Sequence, residues 1–118
     1  MAKILIIDDE IDILEVVKII LKNHDFDVET LAKWENIPHT IQSYNPDLIL
    51  LDVSLGGADG REICKELKSS EATEKIPIIL FSANYDLVNN LKGCKANAVM
   101  TKPFETSQLL SIIECNLN

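Results

Sequence analysis

Residue types that handle phosphate or metal follow strand-like segments of the chain, at the points where those segments end. They comprise two adjacent carboxylates, a third carboxylate, a hydroxyl and an ammonium group: Asp8, Asp9, Asp52, Ser82 and Lys102. In a parallel sheet all strands point the same way, so residues past their carboxyl ends gather in the crevice where open α/β sheets bind ligands. The pattern therefore predicts an acidic metal pocket with a phosphate-pairing cation beside it.

The electrostatics of such a pocket favour a divalent cation. Carboxylates packed within several ångströms repel one another, which raises a pKa or recruits a cation. Hard oxygen ligands suit Mg²⁺, which commonly takes one or two carboxylates together with phosphate oxygens. An Asp carboxylate in this setting can attack phosphorus to form an aspartyl phosphate, while Lys102 and Ser82 can each stabilise an oxygen of the transferring group.

Short apolar runs alternate with stretches of helical periodicity, and this alternation predicts the fold. The apolar runs predict five strands, at residues 4–7, 27–31, 48–51, 78–81 and 98–100. Helical spacing predicts five helices, at residues 11–22, 36–45, 61–68, 86–92 and 106–116. Residues 56–60 are predicted to form a flexible glycine-rich loop. Strands that alternate with helices imply a doubly wound α/β domain, a parallel sheet with helices on both faces.

Each candidate residue also has a purely structural interpretation. Asp8, Asp9, Asp52 and Ser82 could cap the helices that follow them, and Lys102-Pro103 could be only a turn. Capping gives no reason, however, for a lysine among these residues. The joint pattern favours the phosphate site.

Composition narrows the classes of function. The chain has 118 residues and a formal net charge of −8, and an acidic domain lacks the positive surface that binds nucleic acid. No apolar run approaches the roughly 18 residues of a membrane span, and the first residues lack the layout of a secretory signal. The three cysteines, Cys64, Cys94 and Cys115, are widely spaced, which fits free thiols in a reducing cytoplasm.

Several motifs together resemble the receiver domain of response regulators in two-component signalling. They are Ile6-Ile-Asp-Asp-Glu10, Asn45-Pro-Asp-Leu-Ile-Leu-Leu-Asp52, Asp59-Gly60, Pro77-Ile-Ile-Leu-Phe-Ser-Ala83 and Thr101-Lys-Pro-Phe104. They extend from the first strand to the last helix. The resemblance implies one receiver domain over residues 1–118 without an effector domain, and a flavodoxin-like strand order 2-1-3-4-5.

The resemblance also implies a role for each site residue. Asp52 would be the phosphoacceptor, Ser82 the switch hydroxyl and Lys102 the phosphate-pairing cation. Mg²⁺ would be held by Asp8, Asp9 and Asp52 with the backbone carbonyl of Ser54. The Lys102–Pro103 bond is expected to be cis. In place of the usual Met-Pro pair after the phosphoacceptor, this chain has Leu55-Gly56.

The function expected on this basis is phosphorylation-dependent signalling by a cytoplasmic protein that is not an enzyme in the usual sense. The donor would be a sensor histidine kinase or a phosphotransfer protein, and the output an unidentified protein contact. Two alternatives stay open at this stage. One is a Mg²⁺-dependent phosphohydrolase of the haloacid-dehalogenase type, and the other is a receiver that serves only as a scaffold.

Overall fold

Seven strands are described, in chain order β1 (Lys3–Ile7), β2 (Asp27–Leu31), β3 (Leu48–Asp52), β4 (Ser54–Leu55), β5 (Ala58–Asp59), β6 (Ile78–Ser82) and β7 (Ala98–Thr101). Five of them form a parallel central sheet in the order β2-β1-β3-β6-β7. This computed structural model describes residues 1–83 and 94–117. Because β6 and β7 are the fourth and fifth strands of this sheet, the predicted strand order is confirmed.

Four α-helices lie in the described part of the chain. They are α1 (Ile11–Lys22), α2 (Ile37–Tyr44), α3 (Gly60–Lys68) and α4 (Thr106–Asn116), and a 3₁₀ turn at Trp34–Asn36 precedes α2. The predicted helix at residues 86–92 lies outside the described residues. None of the helices described is long and apolar enough to span a membrane.

Alternate residues of the strands enter two separate apolar layers, one on each face of the sheet. In β1, Ile4 and Ile6 pack with α1 and α4, whereas Leu5 and Ile7 pack with α2 and α3. All four side chains are fully buried. Burial on both faces explains why β1, β3 and β6 are nearly continuous apolar runs, since neither face of these strands meets water.

A small hairpin follows β3 where the sequence predicted a flexible loop. Its strands are β4 (Ser54–Leu55) and β5 (Ala58–Asp59), which pair antiparallel around Gly56 and Gly57. Gly57 has a φ of 88°, a conformation that glycine adopts at no steric cost. The prediction of a flexible loop was therefore wrong, because Gly57 serves here as a turn residue between two paired segments.

Helix α3 begins directly after this hairpin and lies against the end of β3. A Cβ atom on Gly60 would stand 2.1 Å from the carbonyl oxygen of Asp52. The Asp59 carboxylate caps the helix by accepting a hydrogen bond from the Arg61 N–H at 2.9 Å. The missing side chain at residue 60 is thus what lets the helix start so near Asp52.

Candidate functional site

The predicted site residues lie together at the carboxyl ends of the parallel strands, as expected from their positions at the strand ends. Strand β1 ends just before Asp8, and Asp52 and Ser82 are the last residues of β3 and β6. Asp52 is in register with Phe81, one residue before Ser82. The Lys102 N–H donates to the Ser82 carbonyl at 2.8 Å, which places the residue after β7 beside the same edge.

The Lys102 ammonium group lies between two buried carboxylates. Its Nζ is 2.9 Å from Asp8 Oδ2 and 3.5 Å from Asp52 Oδ2. The Asp8 side chain is fully buried and that of Asp52 is 3 % exposed. The ammonium also lies over the Phe81 ring, 4.8 Å from its centroid. One cation therefore balances two carboxylates that water scarcely reaches.

This environment shifts the pKa values of both partners. Burial, reinforced by the neighbouring Asp8 carboxylate, raises the pKa of Asp52 to about 6, and Lys102 only partly opposes the shift. Burial lowers the pKa of Lys102, but the hydrogen bond to Asp8 and the charge of Asp52 outweigh it, so the net shift is upward. Burial and the Asp8 charge thus outweigh the stabilisation that Lys102 gives to the Asp52 carboxylate.

Three carboxylates that could hold a hard cation are grouped just before α1. Carboxylate oxygens of Asp8, Asp9 and Glu10 lie within 4.8 Å of one another. Asp8 is buried, whereas Asp9 and Glu10 are exposed. An all-oxygen donor set that is open to solvent on one side fits Mg²⁺, which retains several water ligands. Glu10 was not among the predicted ligands, although it directly follows the acidic pair in the sequence.

The predicted ligand set is brought together in part. Asp8 and Asp52 contact the same ammonium group. The Ser54 N–H lies 3.4 Å from Asp52 Oδ1, a long hydrogen bond, so the first residue of β4 is beside the predicted acceptor. The role of the Ser54 carbonyl as a ligand stays a prediction. The cis Lys102–Pro103 bond expected from the resemblance is present.

Two residues near the site were not predicted to contribute to it. The Gly56 N–H donates to Asp9 Oδ2 at 3.0 Å, and the Trp34 indole N–H donates to the Gly56 carbonyl at 3.2 Å. A backbone donor leaves no mark in a sequence. The only sequence feature that could have indicated this contact is the single tryptophan in the polar segment after β2.

Comparison with known proteins agrees with this geometry. The family model described as the response regulator receiver domain matches residues 4–114. The chemotaxis protein CheY4 of Vibrio cholerae is 27 % identical with a TM-score of 0.89, covering 99 % of each chain. The receiver domain of a signal transduction histidine kinase from Syntrophus aciditrophicus is 29 % identical with a TM-score of 0.90, covering 99 % of this chain and 90 % of that one.

The same fold also occurs inside longer proteins. NtrX from Brucella abortus, solved in complex with ATP, is 28 % identical with a TM-score of 0.88, and the match covers 98 % of this chain but 27 % of that one. Since the family model spans nearly the whole sequence, the chain belongs to the response regulator receiver domains of two-component systems.

Proposed function

We propose that this receiver domain accepts a phosphoryl group on Asp52 from a histidine kinase or a phosphotransfer protein, with Mg²⁺ as cofactor. The observation that carries the proposal is the Lys102 ammonium held between Asp8 and Asp52, at 2.9 and 3.5 Å. These contacts support the proposal because Asp52 would be the nucleophile, Lys102 would pair with the phosphoryl group and Asp8 would bind the metal, all at the carboxyl end of the sheet.

The chain's own residues account for the transfer. An ionised oxygen of Asp52 attacks phosphorus and forms an O–P bond, while the P–N bond to the donor histidine breaks and its electron pair returns to the imidazole. Lys102 can pair with one oxygen of the transferring group, and the Ser82 hydroxyl can donate to another. Asp8, Asp9, Asp52 and the Ser54 carbonyl would hold Mg²⁺, which supplies neutralisation of phosphoryl charge when bound.

An apolar surface beside the site supports a protein as the donor. A cavity of about 470 Å³ lies between α1 and the segment after β7, and Val16, Ile20, Lys102 and Phe104 are among its lining residues. Helix α1 also exposes 57 % of Val16 and 59 % of Ile19. A partner that packs on these side chains would have its reactive group close to Lys102.

Phosphorylation in solution tests the proposal directly. Acetyl phosphate and Mg²⁺ should add one phosphoryl group, detected by intact-protein mass spectrometry and removed by hydroxylamine as acyl phosphates are. Asp52→Asn keeps the shape but lacks the nucleophilic charge, so labelling should vanish. Asp25→Asn is a matched control, because Asp25 is exposed, has a φ of 67° that Asn tolerates, and should label normally. Full labelling of Asp52→Asn would contradict the assignment.

Two further assays separate the alternative functions. Sustained turnover of p-nitrophenyl phosphate would indicate a phosphohydrolase, whereas a receiver should show none beyond slow self-dephosphorylation. Beryllofluoride mimics a phosphoryl group on a carboxylate, so its Mg²⁺-dependent binding should be detectable by NMR. Failure to bind it would favour a receiver that acts only as a scaffold.

A further inference from the structure

Two consecutive hydrogen bonds link Trp34 to Asp9 through a single glycine. The indole Nε1 of Trp34 donates to the Gly56 carbonyl oxygen at 3.2 Å. The Gly56 N–H then donates to Asp9 Oδ2 at 3.0 Å. Gly56 belongs to the turn between β4 and β5, so the hairpin turn lies between the indole and the carboxylate.

The indole is well placed to hold this turn. Trp34 begins the 3₁₀ turn before α2 and packs, half-buried, against the core layer that contains α2 and α3. Its Nε1 would lie 3.6 Å from a Cβ built on Gly57, so ring and turn are in close contact. The Gly56 carbonyl is thereby fixed by a side chain that is itself anchored in the core.

Asp9 needs such support more than Asp8 does. Asp8 is buried, and its two oxygens accept hydrogen bonds from the Glu10 N–H and the Lys102 ammonium. Asp9 is exposed, and Gly56 supplies its hydrogen bond. An exposed carboxylate loses rotamer freedom when it binds a cation, so a donor that already fixes its orientation reduces that cost.

We propose that Trp34 is a positioning residue for the Mg²⁺ site: it holds the Gly56 turn so that the Gly56 N–H orients the Asp9 carboxylate. The inference rests on the proposed function, because it assumes that Asp9 is a ligand of the cation. Trp34 does not touch the cation or the phosphoryl group. Its effect passes through Gly56.

Three variants isolate this link. Trp34→Phe keeps an aromatic ring packed against the core layer but removes the indole donor. Gly56→Pro removes the N–H, and proline suits the position before Gly57, whose φ of 88° fits the third residue of a type II turn. Leu55 lies in a strand, the conformation that proline requires of its predecessor. Tyr44→Phe is the control outside the link, since it removes the donor of another ring that packs against the same core layer, and that donor bonds Asp27 rather than Gly56.

The first measurement is a calorimetric titration of the protein with Mg²⁺ alone. We expect about tenfold weaker binding for Trp34→Phe and for Gly56→Pro, the loss typical of a missing outer partner of a ligand. Because both act through one link, the double variant should bind no more weakly than Gly56→Pro alone. Tyr44→Phe should stay within about twofold of the parent chain. Parent-like binding by Trp34→Phe, or an equal loss in Tyr44→Phe and Trp34→Phe, would overturn the inference.

A second measurement needs no metal. In the Mg²⁺-free protein, Trp34→Phe should shift the NMR resonances of the Gly56 amide and the Asp9 carboxyl carbon, while those of Ile4 and Ile6 on the opposite face stay in place. Unmoved Gly56 and Asp9 resonances would refute the positioning role. Absence of Mg²⁺ binding by the parent chain, with these shifts present, would instead refute the proposed function and leave the link between Trp34 and Asp9 intact.

Discussion

Lys102 and Asp8 form a buried ion pair, with 2.9 Å between Nζ and Oδ2, although 93 residues separate them in the chain. Asp8 follows the interior strand β1 and Lys102 follows the edge strand β7, so the pair reaches across β3 and β6 at the carboxyl end of the sheet. Asp52, the last residue of β3, lies 3.5 Å from the same ammonium group. The pair therefore places the cation beside the proposed phosphoacceptor.

Replacing Lys102 with Met should destabilise the fold above neutral pH. The change leaves the Asp8 and Asp52 carboxylates buried without their shared cation, which costs about 3 kcal/mol in the free energy of unfolding. Urea unfolding in EDTA at pH 8 measures the loss. Lys22→Met is the control, because Lys22 is exposed at the end of α1 and its loss should cost little. The cost of Lys102→Met should shrink when Asp52 is Asn, and equal costs in both backgrounds would argue against the shared cation.

The stability of the metal-free protein should depend on pH through Asp52. Its folded pKa of about 6 lies above the unfolded value, so the folded state binds the proton more tightly. The contribution of Asp52 to the unfolding free energy therefore falls by at most about 3 kcal/mol as pH rises from about 4 to 6. Above pH 6 it stays at the lower value. Asp52→Asn should be more stable than the parent at pH 8, and the difference should vanish near pH 4. A difference that is constant with pH would contradict the raised pKa.

The fold was largely predictable because three of its five strands, β1, β3 and β6, are buried on both faces. Continuous apolar runs marked β1 and β3 to within one residue of the observed Lys3–Ile7 and Leu48–Asp52. Strand ends, in turn, located Asp8, Asp52, Ser82 and Lys102 at a common edge. Which of these side chains touch was not predictable, because the pairings depend on side-chain reach rather than on position in the sequence.

The contacts made by the backbone were not predictable. The Gly56 N–H bond to Asp9 depends on the hairpin geometry, and the glycines alone indicated only a loop. Gly60 was likewise assigned to that loop, yet it is the first residue of α3. Glycine is required at position 60 because a Cβ there would meet the carbonyl oxygen of Asp52. This contact depends on the folded path of the chain and leaves no pattern in the local sequence.

Gly60→Ala should destabilise the protein and displace the end of β3. Its Cβ would meet the Asp52 carbonyl at 2.1 Å and the Val53 Cα at 2.9 Å, contacts that only backbone movement can relieve. Overpacking of this kind costs about 1–3 kcal/mol, measured by urea unfolding. Gly56→Ala is the matched control, because its Cβ contact of 3.4 Å is ordinary. Equal stability of the two variants would show that α3 can move away from β3 without cost.

Asp9→Asn should weaken Mg²⁺ binding without destabilising the metal-free fold. Asp9 is exposed, so its loss removes no core contact, and removing one charge relieves repulsion within the acidic group formed with Asp8 and Glu10. Urea unfolding in EDTA should therefore show equal or higher stability, while calorimetric titration shows weaker binding. Glu10→Gln removes an equally exposed charge from the same group and is the matched control. Because the proposed ligand set includes Asp9 and not Glu10, only Asp9→Asn should lose substantial affinity, and the reverse order would transfer the ligand role to Glu10.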